Sequence, residues 1–328
     1  MRRRMAAVAA AVLATGCGGG GGGTAAAPSH YLSLGDSLAV GVQPDENGRP
    51  RETSQGYTDV LHRTLYDADS TLRHERMGCG GEDTTTFVGG GIPGCEERYE
   101  SGSQLEEAEA FLAEHGGRVD LVTLTIGANN LTGCVEGVRG PDGGGGGVGL
   151  PEDVGIDEEC VADGLERVET EVPVIAERLR SAAGPDTQII GMTYYNPFLA
   201  LMLLDGEAAG GAPEEPAASA GETTGADGAG GAESGGDALA ERSVDILTEL
   251  NESLTASYSA AGIEVADVGT AFESADGEVP EGSGTGMPTN LQNICDHTWM
   301  CDTARGPDIH TNEAGARKIA AVFAELVD

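Results

Sequence analysis

Lysine is nearly missing from this chain. Lys318 is the only one among 328 residues, and 18 Lys and Arg stand against 55 Asp and Glu, a formal charge of −37. Binding a phosphate backbone needs clustered cations, so no nucleic-acid partner is expected. Aromatic residues are scarce as well. Five Phe and one Trp leave little support for a platform that stacks on polysaccharide. No run after the leader reaches the ~20 apolar residues of a membrane-spanning helix. No C-x-x-C or H-x-x-x-H spacing occurs, so zinc has little to hold it, and nothing calls for a metal or organic cofactor. Glycine runs are present, but none is followed by lysine at nucleotide-loop spacing.

The acidic excess favours solubility but repels itself, and salt screens that repulsion over ~10 Å at 0.1 M. One expectation is a protein that works best at elevated salt; the other is an acid-rich composition with no salt requirement. A melting temperature that falls steadily from low to molar sodium chloride would refute the first.

What is present begins with Met1-Arg-Arg-Arg, an apolar stretch from Met5 to Leu13, and Thr15-Gly16-Cys17. A cationic start, a short apolar run and a small-residue cleavage site read as a signal peptide over 1–16. Cys17 directly after the site resembles a bacterial lipoprotein signal, although Ala14 stands where that pattern favours Leu. Residues 17–29 then form a Gly/Ala-rich tether. The expected location is secreted or extracytoplasmic, on the outer face of the cell membrane, which is touched only through a lipid on Cys17.

Export explains the cysteine count. Seven cysteines are one lipid-bearing Cys17 plus six that pair in an oxidising compartment. Six cysteines allow fifteen pairings. Cys79–Cys95, Cys134–Cys160 and Cys295–Cys301 are the economical set, each clipping a loop for about 2–4 kcal/mol.

Along the chain, His30 to Gly35 reads as a buried strand and Gln55 to Asp67 as a helix. Leu72 to Met77 is a second strand. Gln104 to Glu114 is an amphipathic helix with Leu105, Ala108, Phe111 and Leu112 on one face, and Val119 to Ile126 is the clearest strand. Helix Val161 to Ala182, strand Thr187 to Tyr194, helix Ala238 to Ala260, strand Ile263 to Val268 and helix Asn312 to Leu326 follow. Such alternation predicts a parallel α/β sheet covered on both faces, within one domain over 30–328. Gly143 to Gly147 lies in a loop. An insert at about 206–237, without an aromatic or long aliphatic residue from Ala208 to Gly236, reads as disordered.

In an open parallel sheet, ligands gather at the carboxyl ends of the strands. Four segments lie there: Leu34-Gly35-Asp36-Ser37-Leu38, Gly78-Cys79-Gly80-Gly81-Glu82-Asp83-Thr84, Ile126-Gly127-Ala128-Asn129-Asn130, and Asp308-Ile309-His310-Thr311-Asn312 before the final helix. Taken singly, these read as a turn, a flexible loop, an Asn-rich turn and an exposed histidine.

Together and in this order, they resemble the SGNH (GDSL-type) hydrolase family. Ser37, Gly81, Asn129 and His310 match its four named positions. Tyr194-Tyr-Asn-Pro-Phe, Thr298-Trp299-Met300 between Cys295 and Cys301, and Asn312 to Gly315 look like secreted actinobacterial-type members. The resemblance implies a three-layer α/β/α flavodoxin-like fold on a mostly parallel five-stranded sheet. It also implies a serine esterase or lipase that works through an acyl-enzyme, a monomer acting on a small-molecule or lipid ester. In that reading Ser37 attacks the ester carbonyl, and His310 takes its proton and returns it to the leaving alcohol. The oxyanion is held by the N–H groups of Ser37 and Gly81 and by the Asn129 amide.

Two positions depart from the family pattern. Asn130 stands where Asp is usual, and Pro307 stands where the orienting Asp is usual, three before the histidine. Either the Asp308 carboxylate or the Pro307 carbonyl then orients His310. Phe198-Leu-Ala-Leu-Met-Leu-Leu reads first as a core helix, and otherwise as the lining of an acyl pocket, where Leu201→Trp would shorten the preferred chain. Two other functions remain open on the sequence: a carbohydrate O-deacetylase on the same machinery, and a non-enzymatic cell-surface binding module.

Overall fold

The computed structural model describes residues 28–136, 155–201, 203 and 235–328. The leader, Cys17, the tether up to residue 27, Gly143 to Gly147 and the insert up to residue 234 lie outside the described residues.

Nine strands occur among the described residues: β1 His30–Gly35, β2 Val42–Pro44, β3 Pro50–Glu52, β4 Arg73–Arg76, β5 Val119–Thr125, β6 Val135–Glu136, β7 Gly155–Ile156, β8 Gln188–Met192 and β9 Glu264–Ala266. Five of them form one sheet in the order β4-β1-β5-β8-β9, and every pairing in it is parallel. β2–β3 and β6–β7 are two small antiparallel hairpins.

The central strands are buried almost throughout. In β1 every residue after His30 is buried, and in β5 only Asp120 is exposed. Such nearly continuous burial needs helices on both sides. Helix Tyr57–Ala68 packs against helix Glu313–Ala324 on one face, where the Tyr57 and Phe323 rings stack 4.9 Å apart. Helices Gln104–His115, Glu158–Ala183 and Gly235–Ala260 pack side by side on the other. The three-layer α/β/α expectation therefore holds, with a sheet parallel throughout.

Local chemistry sets the helix ends. Asp157 accepts the Glu159 and Cys160 N–H groups at the start of Glu158–Ala183, and two acids in the first turn suit the positive end of the helix dipole. Val161, Leu165, Val168, Val172, Ile175 and Leu179 then bury one stripe. Asn312 caps the final helix by accepting from Ala314 and Gly315 N–H, which fixes the chain just past His310.

Several elements were not anticipated: helices Thr84–Gly89, Asn129–Thr132, Val268–Ala271 and Thr289–His297, the 3-10 turn Glu96–Arg98, and the β2–β3 and β6–β7 pairs. Phe198 and its neighbours, expected as a core helix, instead form a 3-10 turn over Pro197–Leu201. The Leu201 side chain lies outside the described residues. Helix Gly235–Ala260 begins three residues before the expected Ala238.

Candidate active site

β1 ends on Gly35, whose φ of 124° lies in the region open to glycine. A Cβ there would sit 2.0 Å from the Thr125 carbonyl oxygen, so no other residue fits without moving β5. The Asp36 N–H donates to that same oxygen at 2.9 Å, and the chain turns. The Asp36 carboxylate accepts Leu38 N–H at 2.9 Å and the Tyr194 hydroxyl at 2.6 Å. Burial pushes the Asp36 carboxyl up to about 6, although both hydrogen bonds and the nearby His310 favour its charged form. Ser37 then faces a cavity, and among the described residues its N–H has no hydrogen-bond partner.

The Gly80-Gly81 loop follows β4. Cys79 N–H donates to Gly35 O at 2.9 Å, which draws the loop against the Ser37 turn. A Cβ on Gly80 would lie 3.9 Å from that of Ser37. Gly81 has φ 85°, and its N–H is likewise without a partner among the described residues. Asn129, just past β5, donates its Nδ2 to Glu82 O at 2.9 Å and lines the cavity. Asn130 points elsewhere. Its amide exchanges hydrogen bonds with the Thr84 N–H at 3.1 Å and the Thr84 hydroxyl at 2.7 Å, pinning helix Thr84–Gly89.

His310 sits on a loop built mainly from main-chain bonds. Trp299 N–H donates to His310 O at 3.0 Å, and Asp308 N–H donates to Trp299 O at 3.3 Å. Asp308 Oδ1 lies 2.6 Å from His310 Nδ1 and accepts the His310 N–H at 2.9 Å. Burial raises the Asp308 pKa, but hydrogen bonds and the charge of His310 outweigh it, so this carboxyl falls below its ordinary value. The opposite ring nitrogen, His310 Nε2, is buried and has no hydrogen-bond partner among the described residues. A buried, unpaired imidazole nitrogen costs stability unless something approaches it.

Ser37, Asn129 and His310 thus line one cavity of about 90 Å³. Its deeper wall is apolar: Leu131, Val135, Ile156, Val161, Phe198 and Ile246 all contribute. Gly81 stands beside it on the adjoining loop, and Asp308 lies behind His310.

The three economical cysteine pairs are all formed: Cys79–Cys95, Cys134–Cys160 and Cys295–Cys301. Cys134–Cys160 ties together the two ends of the hairpin that supplies Val135 and Ile156. Among the described residues no three His, Cys, Asp or Glu side chains cluster as metal ligands, and no helix is long and apolar enough to cross a membrane.

Several polar residues at this site carry no motif. Glu82, Tyr99, Gln104 and Tyr194 are buried around the Ser37 turn and bond to it or to one another. Tyr194 was singled out as a family feature and Glu82 stood within the Gly78 to Thr84 segment, though without a role; Tyr99 and Gln104 had no site signal.

The sequence profile of the GDSL-like Lipase/Acylhydrolase family matches residues 33–318. No curated protein matches the chain. Among solved structures, the chain is similar to an extracellular lipase from Streptomyces rimosus at 16% identity and TM-score 0.46, over 90% of this chain and 99% of that one. It is similar to the aryl esterase of M. smegmatis at 17% identity and TM-score 0.41, over 91% and 98%. It is also similar to the acetylxylan esterase Axe2 of Geobacillus stearothermophilus at 12% identity and TM-score 0.43, over 91% and 94%.

Proposed function

The chain belongs to the GDSL-like lipase/acylhydrolase family and is a carboxylic ester hydrolase, and from that premise we propose that Ser37 is its nucleophile and esters of aliphatic acids its substrates. One observation carries the reading. Ser37, Asn129 and an unpartnered His310 Nε2 converge on a single cavity whose deeper wall is hydrocarbon.

In this mechanism His310 Nε2 accepts the Ser37 hydroxyl proton as Oγ attacks the ester carbonyl carbon. The carbonyl oxygen becomes an oxyanion and takes hydrogen bonds from Ser37 N–H, Gly81 N–H and Asn129 Nδ2, the first two of which have no other partner among the described residues. His310 then hands the proton to the leaving alcohol. Water attacks the acyl-enzyme by the same route in reverse, and the acid leaves. Asp308 accepts the Nδ1–H throughout, which fixes the tautomer and steadies the imidazolium. The acyl chain lies along Leu131, Val135 and Ile246, away from water.

The protein works outside the cytoplasm as a monomer, tethered through a lipid on Cys17. Three disulfides suit an oxidising compartment, as does the leader-like start of the chain.

The test is release of p-nitrophenol from acetate, butyrate, octanoate and palmitate esters, with Ser37→Ala as control. Hydrolysis that peaks at butyrate or longer and falls by at least ~10³-fold in the variant is expected. A preference for acetylated sugars would instead make the protein a deacetylase. A folded chain that turns over none of these and is inert to organophosphorus reagents would leave a binding module.

A further inference from the structure

Glu82 directly follows Gly81 and is wholly buried. Packing alone does not call for a carboxyl group there, because taking one out of water opposes folding unless polar partners compensate. Its partners are specific. Glu82 Oε2 lies 2.8 Å from Gln104 Nε2 and 3.2 Å from the Tyr99 hydroxyl. Glu82 Oε1 is buried and has no hydrogen-bond partner among the described residues.

Gln104 is wholly buried too, at the first residue of its helix. Its Oε1 accepts the Gly35 N–H at 2.5 Å, and its Nε2 reaches Gly35 O at 3.1 Å. Both main-chain groups of Gly35, two residues before Ser37, are therefore read by one side chain. The main chain of Glu82 completes the set, since its carbonyl accepts Asn129 Nδ2.

The three oxyanion donors come from three strand ends: Ser37 after β1, Gly81 after β4 and Asn129 after β5. Nothing covalent fixes their spacing, and a misplacement of ~1 Å at such a site costs ~10²-fold in rate. We infer that Glu82 and Gln104 are positioning residues of the ester-hydrolysing site, a buried pair that holds the Ser37, Gly81 and Asn129 donors in register. Glu82 grips Asn129 through its carbonyl and Gln104 through its carboxyl, while Gln104 grips the turn that carries Ser37. The inference rests on the serine-esterase reading above.

A pair that only stabilised the fold would lower melting temperature without separating kcat from KM. The experiment uses the full chain with p-nitrophenyl butyrate, together with a trifluoromethyl ketone bearing the same acyl chain. Ser37 Oγ adds to that ketone's carbonyl, its proton passes to His310, and the resulting oxyanion sits where the substrate's would.

Glu82→Ala and Gln104→Ala should each lower kcat ~10²-fold with KM nearly unchanged, and the double variant should be no worse than the poorer single one. Ketone affinity should fall in step with kcat/KM. Glu82→Gln, which keeps an acceptor for Gln104, should stay close to wild type. Should the alanine variants fail to fold, the exchange of Glu82→Gln with Gln104→Glu should recover kcat relative to Gln104→Glu alone. The inference is overturned by an unchanged kcat in folded Glu82→Ala, by a loss confined to KM, by Glu82→Gln as poor as Glu82→Ala, or by no recovery in the exchange. A wild-type chain that neither hydrolyses the ester nor binds the ketone overturns the esterase reading itself, and this inference with it.

Discussion

On the Ser37 side of the cavity, buried side chains from distant parts of the sequence hold the turn. Gln104 and Tyr194 bond to Gly35 and Asp36, and Glu82 binds Gln104. On the His310 side, main chain and a disulfide do the holding. Trp299 pairs with His310, Thr298 bridges to Thr311, and Asn312 N–H donates to His297 O at 3.1 Å, so the His310 segment is paired to the loop that Cys295–Cys301 closes. The first design depends on desolvated polar groups finding one another across the fold. The second is mostly local: Asp308 reaches His310 from two residues away, and the Tyr195 hydroxyl, donating to Ile309 O at 2.7 Å, adds a long-range bond. The same cavity is thus framed by one long-range and one short-range solution.

The largest expected break falls on the short-range side. Asp308→Ala should lower kcat on p-nitrophenyl butyrate by ~10⁴-fold, the loss seen when an orienting carboxylate is removed. A loss nearer ~10-fold would transfer the orienting role to the Pro307 carbonyl and weaken the parallel between the sides.

Titration sharpens the comparison because the two carboxyls move in opposite directions. Asp36 is raised to about 6 by burial. A raised carboxyl favours the protonated native state, so its stability contribution is full below the unfolded value of ~3.9 and is lost as pH climbs through about 6. Asp308 is lowered, so its contribution is present above ~3.9 and is lost as pH falls through its native value. Urea titrations should show Asp36→Asn gaining up to ~3 kcal/mol on wild type between pH 4 and 7. Asp308→Ala should flatten the acid limb instead. Parallel curves for wild type and Asp36→Asn would contradict the first half.

The smallest effect belongs to the clip. Replacing Cys295 and Cys301 by serine opens a six-residue separation and should cost about 2 kcal/mol in urea unfolding. No loss would mean that the main-chain pairs around Trp299 hold the His310 loop unaided.

This contrast also explains what was legible in the sequence. The sheet could be read because Tyr31 to Leu34, but for Ser33, and Leu121 to Leu124 are apolar or β-branched runs followed by turn residues. Ser37, Gly81, Asn129 and His310 could be picked out because each falls just past such a run or just before the last helix. Helix Thr84–Gly89 was not foreseen, since three β-branched threonines argue against helix; its start is set by the Asp83 carboxylate accepting Thr86 N–H at 2.7 Å. Helix Thr289–His297 carries too few apolar residues to show a stripe, with Leu291 and Ile294 its only buried aliphatics. Gln104 was read as the polar start of an amphipathic helix. Only the crossover from β4 to β5 brings its amide beneath Gly35, and no local pattern records that. Phe198 misled in the other direction: an apolar run looks the same whether it fills a core or lines a cavity.

One consequence of the strand order concerns synthesis. Ser37 follows the first strand of the sheet, whereas His310 precedes the final helix and depends on its cap at Asn312. A chain growing from its amino terminus therefore makes the proposed nucleophile long before the proposed base. No nascent fragment that stops short of this loop contains both. In the proposed mechanism, that order is a built-in delay: ester cleavage has to wait until the His310 loop has been made.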